Sequence, residues 1–345
     1  MLILSNNQPL KSPIILDTTL RDGSYVLDFQ FTTEDTFQIA QKLDNLGFEY
    51  IEVGHGTGLG SSEKNLGKAA ATDEEYIHAT KKAVLKGKWG MFCIPGICEL
   101  SNLKMAIDNG MNFVRVGTEV NGVEKGKPFI ELAKKSGLLV CCNLMKSYTS
   151  NPTNFAIQAT KCIDMGADVI YIVDSAGGML PNELLLYIEA LRSINRNFLI
   201  GFHGHNNLGM AVANSLFCAY QGVDIIDTTL QGLGRSAGNT PTSEFIAVLM
   251  RSGFDSPFNL VDLMLVSEHY VRHFVQNIGI DTIDVTCGFA QFHSGFLPQV
   301  KQAAEMNDID IRDVIIELSK LDKEHAHQEL IEQAIVNFKS RYKAH

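Results

Sequence analysis

Short runs of apolar and β-branched residues recur along this chain at a spacing of roughly 30 residues, with amphipathic segments between them. Each run is followed by Gly, Asn, Ser or Asp, and then by a stretch with the period of a helix. We predict eight strands, at residues 14–17, 50–53, 89–94, 113–116, 138–143, 169–173, 199–203 and 224–227. Eight strand–helix units within about 250 residues are what a closed parallel barrel requires, so we predict an α/β protein with a (β/α)₈ TIM barrel.

An open, doubly wound sheet is the competing architecture. No Gly-x-Gly-x-x-Gly follows the first predicted strand, and this weakens a dinucleotide-binding interpretation. The clearest barrel helices are predicted at 33–46 and 154–165. The tail contains helix-period segments at 261–276, 297–306, 311–321 and 326–342, with no convincing strands. We therefore predict a catalytic barrel over residues 1–255 and a helical C-terminal extension over residues 256–345.

The composition argues against several kinds of partner. The 345 residues carry a net charge of −10, which predicts neither a nucleic acid nor an anionic membrane as partner. No apolar run is long enough to span a bilayer, and the N-terminus lacks the basic head and apolar core of a signal peptide. The seven scattered cysteines, an odd number without an export signal, indicate reduced thiols. We therefore expect a cytoplasmic protein.

Polar residues follow several of the predicted strands, at the barrel end where active sites lie. The spacing of His203 and His205 puts both imidazoles on one face of the seventh strand. The first strand leads into Asp17-Thr18-Thr19-Leu20-Arg21-Asp22-Gly23, and Glu52 lies in the second. Each residue alone could equally be an ion pair, a helix cap or a solvated loop residue. Together they favour a divalent metal in mixed nitrogen and oxygen ligation, Mn²⁺ or Mg²⁺.

The same residues carry a resemblance to a known superfamily. The motifs, in chain order, are Thr19-Leu20-Arg21-Asp22-Gly23, Ile51-Glu52-Val53-Gly54-His55-Gly56, His203-x-His205 and Gly232-x-Gly234-x-x-x-Gly238-Asn239. Over almost its whole length the chain resembles the DRE-TIM metallolyases, which include 3-hydroxy-3-methylglutaryl-CoA lyase and the isopropylmalate and homocitrate synthases. The branch that it resembles most is 4-hydroxy-2-oxovalerate aldolase.

The resemblance implies a set of metal ligands. Asp22, His203 and His205 match the ligands of the superfamily. Asn239 lies where the synthases supply a further ligand, and it is a fourth candidate here. The reaction needs such a cation, because breaking the bond β to a ketone leaves an enolate whose charge must be offset.

The resemblance also implies catalytic residues. Arg21 matches the arginine that holds the carboxylate and ketone side of the substrate, and Glu52 matches the acidic residue that orients it. The chain departs from the aldolases at two positions, where Tyr25 replaces the histidine that takes the substrate hydroxyl proton and His293 replaces a tyrosine of the extension. A histidine near pKa 6.5 is a better base at neutral pH than a tyrosine near 10. We hypothesise that His293 is the general acid/base and Tyr25 a hydrogen-bond partner.

The implied activity is reversible cleavage of a 4-hydroxy-2-oxo acid to pyruvate, or a similar 2-oxo acid, and an aldehyde by a metal-dependent, class II type aldehyde-lyase. Three alternatives stay open: an acyl-CoA-dependent Claisen condensing enzyme of the superfamily, a catalytically silent metal-binding subunit, and another enolate reaction such as decarboxylation. The related aldolases pair with an acylating aldehyde dehydrogenase, which leaves a partner of that kind open, and we expect a homo-oligomer. His55 could be a substrate or a structural residue. Lys146 could suggest a Schiff-base aldolase, although the metal set already supplies the electron sink.

Overall fold

The computed structural model describes residues 10–275 and 279–342. Within these ranges, eight parallel strands close into a barrel in the order in which they occur along the chain. β1 pairs with both β2 and β8, so the doubly wound alternative is excluded and the predicted TIM barrel is confirmed. The strands are β1 (Ile14–Leu20), β2 (Tyr50–Val53), β3 (Lys88–Cys93), β4 (Phe113–Glu119), β5 (Leu139–Met145), β6 (Val169–Asp174), β7 (Leu199–Gly204) and β8 (Ile225–Thr228).

The predicted strands differ from the observed ones mainly at their C-terminal ends. β1 continues to Leu20 and β4 to Glu119, where the prediction stopped at residues 17 and 116. The added segments are polar and do not look like buried strand, but their side chains find partners inside the fold. The Thr19 hydroxyl donates to Asp17 Oδ2 at 2.9 Å and accepts the Leu230 N–H at 2.8 Å. Such bonds satisfy the buried polar groups and allow the strand to continue.

Local sequence signals account for the helices around the barrel. α1 begins at a capping box in which Thr32 Oγ1 accepts the Asp35 N–H and the Asp35 carboxylate accepts the Thr32 N–H. It ends at Gly47, whose φ of +95° suits glycine. The predicted helices 33–46 and 154–165 are observed, the second beginning at Pro152. The helices are α1 (Thr33–Leu46), α2 (Asp73–Ala83), α3 (Leu100–Asp108), α4 (Lys127–Lys135), α5 (Pro152–Met165), α6 (Pro181–Arg192), α7 (Ala211–Tyr220) and α8 (Thr242–Arg251).

The interior of the barrel is apolar at one end and charged at the other. Leu16, Tyr50 and Phe113 belong to an apolar cluster separate from the main core between strands and helices. Side chains alternate along a strand, so Glu52 follows Tyr50 on the inner face of β2 and Arg115 follows Phe113 on that of β4. Both charged residues are fully buried. The charged layer therefore lies toward the C-terminal ends of the strands.

The extension contains α9 (Leu260–Val266), α10 (Thr282–Ala290), α11 (Leu297–Asn307), α12 (Ile311–Leu321) and α13 (Gln328–Tyr342). The predicted helix 261–276 is instead α9 followed by a π-helical turn, Ser267–Val271, and a 3₁₀ turn, Arg272–Phe274; residue 276 lies outside the described residues. α10 was not predicted. It contains Gly288, where a Cβ would lie 2.7 Å from Leu208 Cγ, so close packing on the barrel favours a glycine that helix propensity does not.

The apolar contacts divide the tail into two parts. Phe258, Leu263 and Val271 pack into the main core, whereas buried apolar residues between Cys287 and Ile335 form a cluster of their own. The domain boundary at residue 255 stays a prediction. Within the described ranges, no helix combines the length and the hydropathy needed to cross a membrane.

Candidate metal centre

Asp22, His203 and His205 converge at the C-terminal mouth of the barrel. One ligand atom from each residue lies within 4.8 Å of the other two. Asp22 starts the 3₁₀ turn Asp22–Leu27 directly after β1, and His203 lies in β7 with His205 just beyond it. All three side chains are buried. In residues 10–275 and 279–342, this is the one group of three or more His, Cys, Asp or Glu side chains with such a geometry.

A carboxylate behind His203 sets its orientation. Asp227 Oδ2 accepts a hydrogen bond from His203 Nδ1 at 2.9 Å. His203 Nε2 then lies on the opposite side of the ring, 3.9 Å from Asp22 Oδ2. Metal-binding histidines are usually held in this way, because the bond at one ring nitrogen leaves the lone pair of the other for the ion.

Two unsatisfied buried atoms indicate that the centre is built for a ligand. His205 Nδ1 and Asn239 Oδ1 are buried without a hydrogen-bond partner among the described residues. Such atoms are costly unless an ion or another group satisfies them. Burial lowers the pKa of His205 to about 3, so the imidazole is neutral, as a metal ligand must be. Two imidazoles and a carboxylate at this spacing suit a divalent metal ion.

Asn239 lies beside the triad. Its Nδ2 donates to Asp22 Oδ2 at 2.5 Å and to the Leu233 carbonyl at 3.0 Å, and its Oδ1 has no partner in the described part of the chain. The loop before it is tightly wrapped, since a Cβ on Gly234 would lie 2.4 Å from Asn239 Nδ2. The glycine-rich loop therefore shapes the space around the Asn239 amide.

Arg21 is held between two carboxylates. Its Nη1 donates to Asp22 Oδ1 at 2.6 Å and its Nε to Glu52 Oε2 at 2.8 Å, while the guanidinium lies 4.6 Å from the centre of the Phe92 ring. Burial alone would raise the pKa of Asp22, but the positive charge of Arg21 holds it well below its ordinary value. Asp22 is therefore ionised, as a ligand for a cation should be.

Arg115 is a residue that the sequence analysis missed. It is fully buried in β4 and donates to Glu52 Oε2 at 2.8 Å, to Asp227 Oδ2, and to Asn143 Oδ1 at 3.3 Å. β4 and β8 lie on opposite sides of the barrel, so this side chain crosses the interior. It joins the carboxylate behind Arg21 to the carboxylate behind His203. The sequence did indicate that Arg115 is unusual, because strand alternation places this charged residue on the inner face of β4, where it needs partners.

Tyr25 lies in the turn after Asp22. Its ring centre is 5.2 Å from that of Phe29, and the Arg235 guanidinium lies 5.4 Å from its centre. Burial raises the pKa of Tyr25 above its ordinary value, so the hydroxyl stays protonated at neutral pH. The phenol can therefore donate a hydrogen bond but is a poor base.

His293 belongs to the extension, and the charges of His205 and Asp22 act on its pKa. Its Nδ1 accepts the Gly295 N–H at 3.2 Å, at the start of the 3₁₀ turn Ser294–Phe296. Burial lowers its pKa well below the ordinary value, and the charges of Arg235 and Lys146 lower it further. His293 is therefore neutral at neutral pH. Arg235 lies between Tyr25 and the turn that begins at His293, since its Nη1 is 3.8 Å from where a Cβ on Gly295 would be.

The comparisons with known proteins agree with this geometry. A profile of the HMGL-like family matches residues 12–269. The chain belongs to the HMGL-like family. It is 40% identical over 316 residues to a 4-hydroxy-2-oxovalerate aldolase of Rhodococcus opacus, covering 91% of each chain. It is 37% identical over 336 residues to a 4-hydroxy-2-oxovalerate aldolase of Pseudoalteromonas translucida, covering 97% of this chain and 98% of that one. The predicted family is confirmed.

Solved structures share the HMGL-like barrel. The HMG-CoA lyase of Brucella melitensis aligns with a TM-score of 0.65 at 17% identity, covering 77% of this chain and 100% of that one. The carboxyl transferase domain of Rhizobium etli pyruvate carboxylase, solved with pyruvate, aligns with a TM-score of 0.77 at 17% identity, covering 97% of this chain and 61% of that one. At these identities the likeness shows the fold.

Two further residues from the sequence analysis have structural partners in this HMGL-like chain. His55 is hydrogen-bonded within its own loop, to the Gly67 carbonyl at 3.0 Å and the Thr57 N–H at 3.1 Å. Lys146 Nζ donates to the Glu324 carbonyl of the extension at 2.8 Å and lies 3.1 Å from Glu119 Oε1. Lys146 thus joins the barrel to the extension, which accounts for its burial without a Schiff-base role.

Proposed function

We propose that this protein is a divalent-metal-dependent aldolase that reversibly cleaves a 4-hydroxy-2-oxo acid to pyruvate, or a similar 2-oxo acid, and an aldehyde. The observation that carries the proposal is the buried triad of Asp22, His203 and His205 with Arg21 hydrogen-bonded beside it. Relatives at 37–40% identity are 4-hydroxy-2-oxovalerate aldolases. They do not favour the acyl-CoA-dependent condensing alternative.

The residues of the triad would hold the ion, and the free Asn239 Oδ1 would be a fourth ligand atom. When bound, a divalent ion supplies positive charge to the oxygen on which enolate charge develops. Arg21 uses Nε and Nη1 to bind Glu52 and Asp22, which leaves Nη2 to donate to the substrate. The guanidinium is thereby oriented before the substrate arrives, and it adds to the stabilisation of the enolate. Glu52 is a positioning residue in this scheme.

His293 would take the proton of the substrate hydroxyl, with Tyr25 donating a hydrogen bond nearby. The lowered pKa of His293 keeps the ring neutral, and it also makes the ring a weaker base than a free imidazole. To accept it at Nε2, the ring must carry its own proton on Nδ1 and give up the bond from Gly295. That bond is 3.2 Å long, at the long end of the usual range, and the exchange leaves the Gly295 N–H to find another acceptor.

The finer assignments rest on chemistry. Mn²⁺ or Mg²⁺ fits a mixed nitrogen and oxygen donor set better than a thiolate-preferring ion would. A cytoplasmic location is supported by the seven cysteines, all of which are buried free thiols. A homo-oligomer and a partner of the acylating aldehyde dehydrogenase type are further proposals, which sedimentation analysis alone and with such an enzyme would test.

Exchange of the pyruvate methyl protons tests the function directly. The protein is incubated with Mn²⁺ and pyruvate in D₂O, and NMR follows deuteration of the methyl group. We expect exchange in the wild type, and its loss with a chelator or in His203→Ala. His78→Ala, which removes an exposed histidine of α2, is the matched control. Exchange that persists with the chelator, or equally in His203→Ala, would contradict a metal-dependent aldolase.

A further inference from the structure

Arg235 is a second arginine at the mouth of the barrel. It lies in the loop between β8 and α8. Its guanidinium carbon is 5.4 Å from the centre of the Tyr25 ring, and its Nη1 is 3.8 Å from the position of a Cβ on Gly295. It therefore lies beside Tyr25 and the turn at His293, the residues that we assign to the substrate hydroxyl. That hydroxyl belongs to the half of the substrate that leaves as the aldehyde.

The guanidinium of Arg235 has no carboxylate within ion-pair distance among the described residues, although its charge is near enough to Asp22 to lower the pKa of that carboxyl. Arg21 and Arg115 each bind two carboxylates, whereas no ion pair of the described residues includes Arg235. Its Nε is buried and has no hydrogen-bond partner in that part of the chain. The Arg235 side chain as a whole is half-buried. A buried N–H donor without an acceptor is nonetheless unfavourable, so its retention points to a ligand that supplies one.

The loop holds Arg235 in place before any ligand binds. The next residue, Ser236, donates to Asp284 Oδ1 at 2.6 Å and accepts from Asn207 Nδ2 at 2.8 Å. The other end of the loop is fixed by the bond from Asn239 Nδ2 to the Leu233 carbonyl. A preorganised arginine loses little entropy when it binds, and it is suited to selecting one class of ligand.

A second donor lies at the same mouth. The Tyr148 hydroxyl is buried without a partner among the described residues, and burial raises the pKa of Tyr148, so the group stays protonated. The charge of Arg235 acts on Tyr148 as well as on Tyr25 and His293. The carboxylates of Asp174 and Glu119 act on Tyr148 too. A neutral aldehyde such as an alkanal would leave the Arg235 guanidinium without an anion, whereas an anionic group would supply one.

We propose that Arg235 is a specificity-determining residue that binds an anionic group, a carboxylate or a phosphate, on the aldehyde half of the substrate. The inference rests on the proposed aldolase function. In cleavage, the bond between C3 and C4 breaks, its electron pair stays with the 2-oxo acid half as the enolate, and the hydroxyl proton passes to the base. The released aldehyde keeps its anionic group, which Arg235 holds and which takes no part in the bond changes.

Condensation of pyruvate with matched acceptors tests the proposal. Succinic semialdehyde is compared with butanal, and glyceraldehyde 3-phosphate with glyceraldehyde, in the presence of Mn²⁺. We expect the wild type to prefer the charged member of at least one pair by about tenfold to a hundredfold in kcat/KM, the range of a charge-assisted hydrogen bond. The pair that shows the preference identifies the anion as carboxylate or phosphate.

Substitutions of Arg235 test whether this residue causes the preference for charged acceptors. Arg235→Gln should abolish it and Arg235→Lys should keep part of it, while Arg251→Gln, which removes an exposed charge at the end of α8, should keep all of it. Equal loss toward charged and neutral acceptors in Arg235→Gln would mean that Arg235 only packs on Tyr25, and would overturn the proposal. A wild type that shows no preference for the charged acceptor in either pair would also overturn the proposal. This result does not depend on whether any variant folds.

Pyruvate exchange in D₂O separates this inference from the proposed function. Exchange without an acceptor preference overturns the role of Arg235 and leaves the aldolase function standing. Absence of exchange in the wild type overturns the aldolase function, and with it the inference that depends on it.

Discussion

Asp227→Asn removes the charge behind one metal ligand while leaving the ligand itself in place. Asp227 Oδ2 accepts from His203 Nδ1 at 2.9 Å and also from Arg115. An asparagine has nearly the same size, and its one carbonyl oxygen can still accept from both donors, but it carries no charge. Both hydrogen bonds are therefore weakened, and the His203 ring loses part of its orientation.

The structure indicates the size of two effects. Loss of a group that orients a metal-binding histidine typically weakens metal binding about tenfold to a hundredfold, or roughly 1.4–2.7 kcal/mol. Loss of one member of a buried ion pair costs about 3–5 kcal/mol of stability. Arg115 keeps its bond to Glu52, so we expect about 3 kcal/mol, the lower end of that range.

Mn²⁺ binding and urea unfolding measure the two effects separately. The signal of free Mn²⁺ in electron paramagnetic resonance gives the dissociation constant of each folded variant. Asp17→Asn is the matched control, because Asp17 is also a buried carboxylate but bonds to Thr19 and to no metal ligand. We expect weaker binding in Asp227→Asn and unchanged binding in Asp17→Asn. Wild-type affinity in folded Asp227→Asn, or equal weakening in both variants, would refute the role assigned to Asp227.

Two further predictions concern protonation. Burial raises the pKa of Asp17 to about 7, so the folded state binds its proton more tightly than the unfolded chain does. This group makes stability fall by up to about 4 kcal/mol as the pH rises from about 4 to about 7. The difference in unfolding free energy between wild type and Asp17→Asn should therefore change between pH 5 and pH 8, and a constant difference would contradict the raised pKa. For catalysis, His293→Ala should lower kcat by about 10²–10⁴, whereas Tyr25→Phe should stay nearly active; the reverse result in a cleavage assay would overturn the exchange of roles.

The fold could be predicted because its signals are local. A strand–helix alternation repeated eight times specifies a parallel barrel, and caps such as the one that starts at Thr32 mark where helices begin. The helices of the C-terminal extension were harder to predict. α10 contains a glycine and depends on contact with the barrel, and the segment after α9 changes from α- to π- and 3₁₀-helical turns. No periodicity in the sequence encodes these features.

The chain by itself determined which residues reach the metal centre. His203 and His205 share a face because strand side chains alternate, and Asp22 comes near them because all the strands of a parallel barrel end at one mouth. Only the tertiary structure decided which charges are neutralised. Arg115 forms ion pairs with two carboxylates across the barrel, whereas Arg235 forms none with the described residues, although both are arginines of the same chain. Pairing between positions far apart in sequence depends on distances of a few ångströms, and only the closed barrel sets those distances.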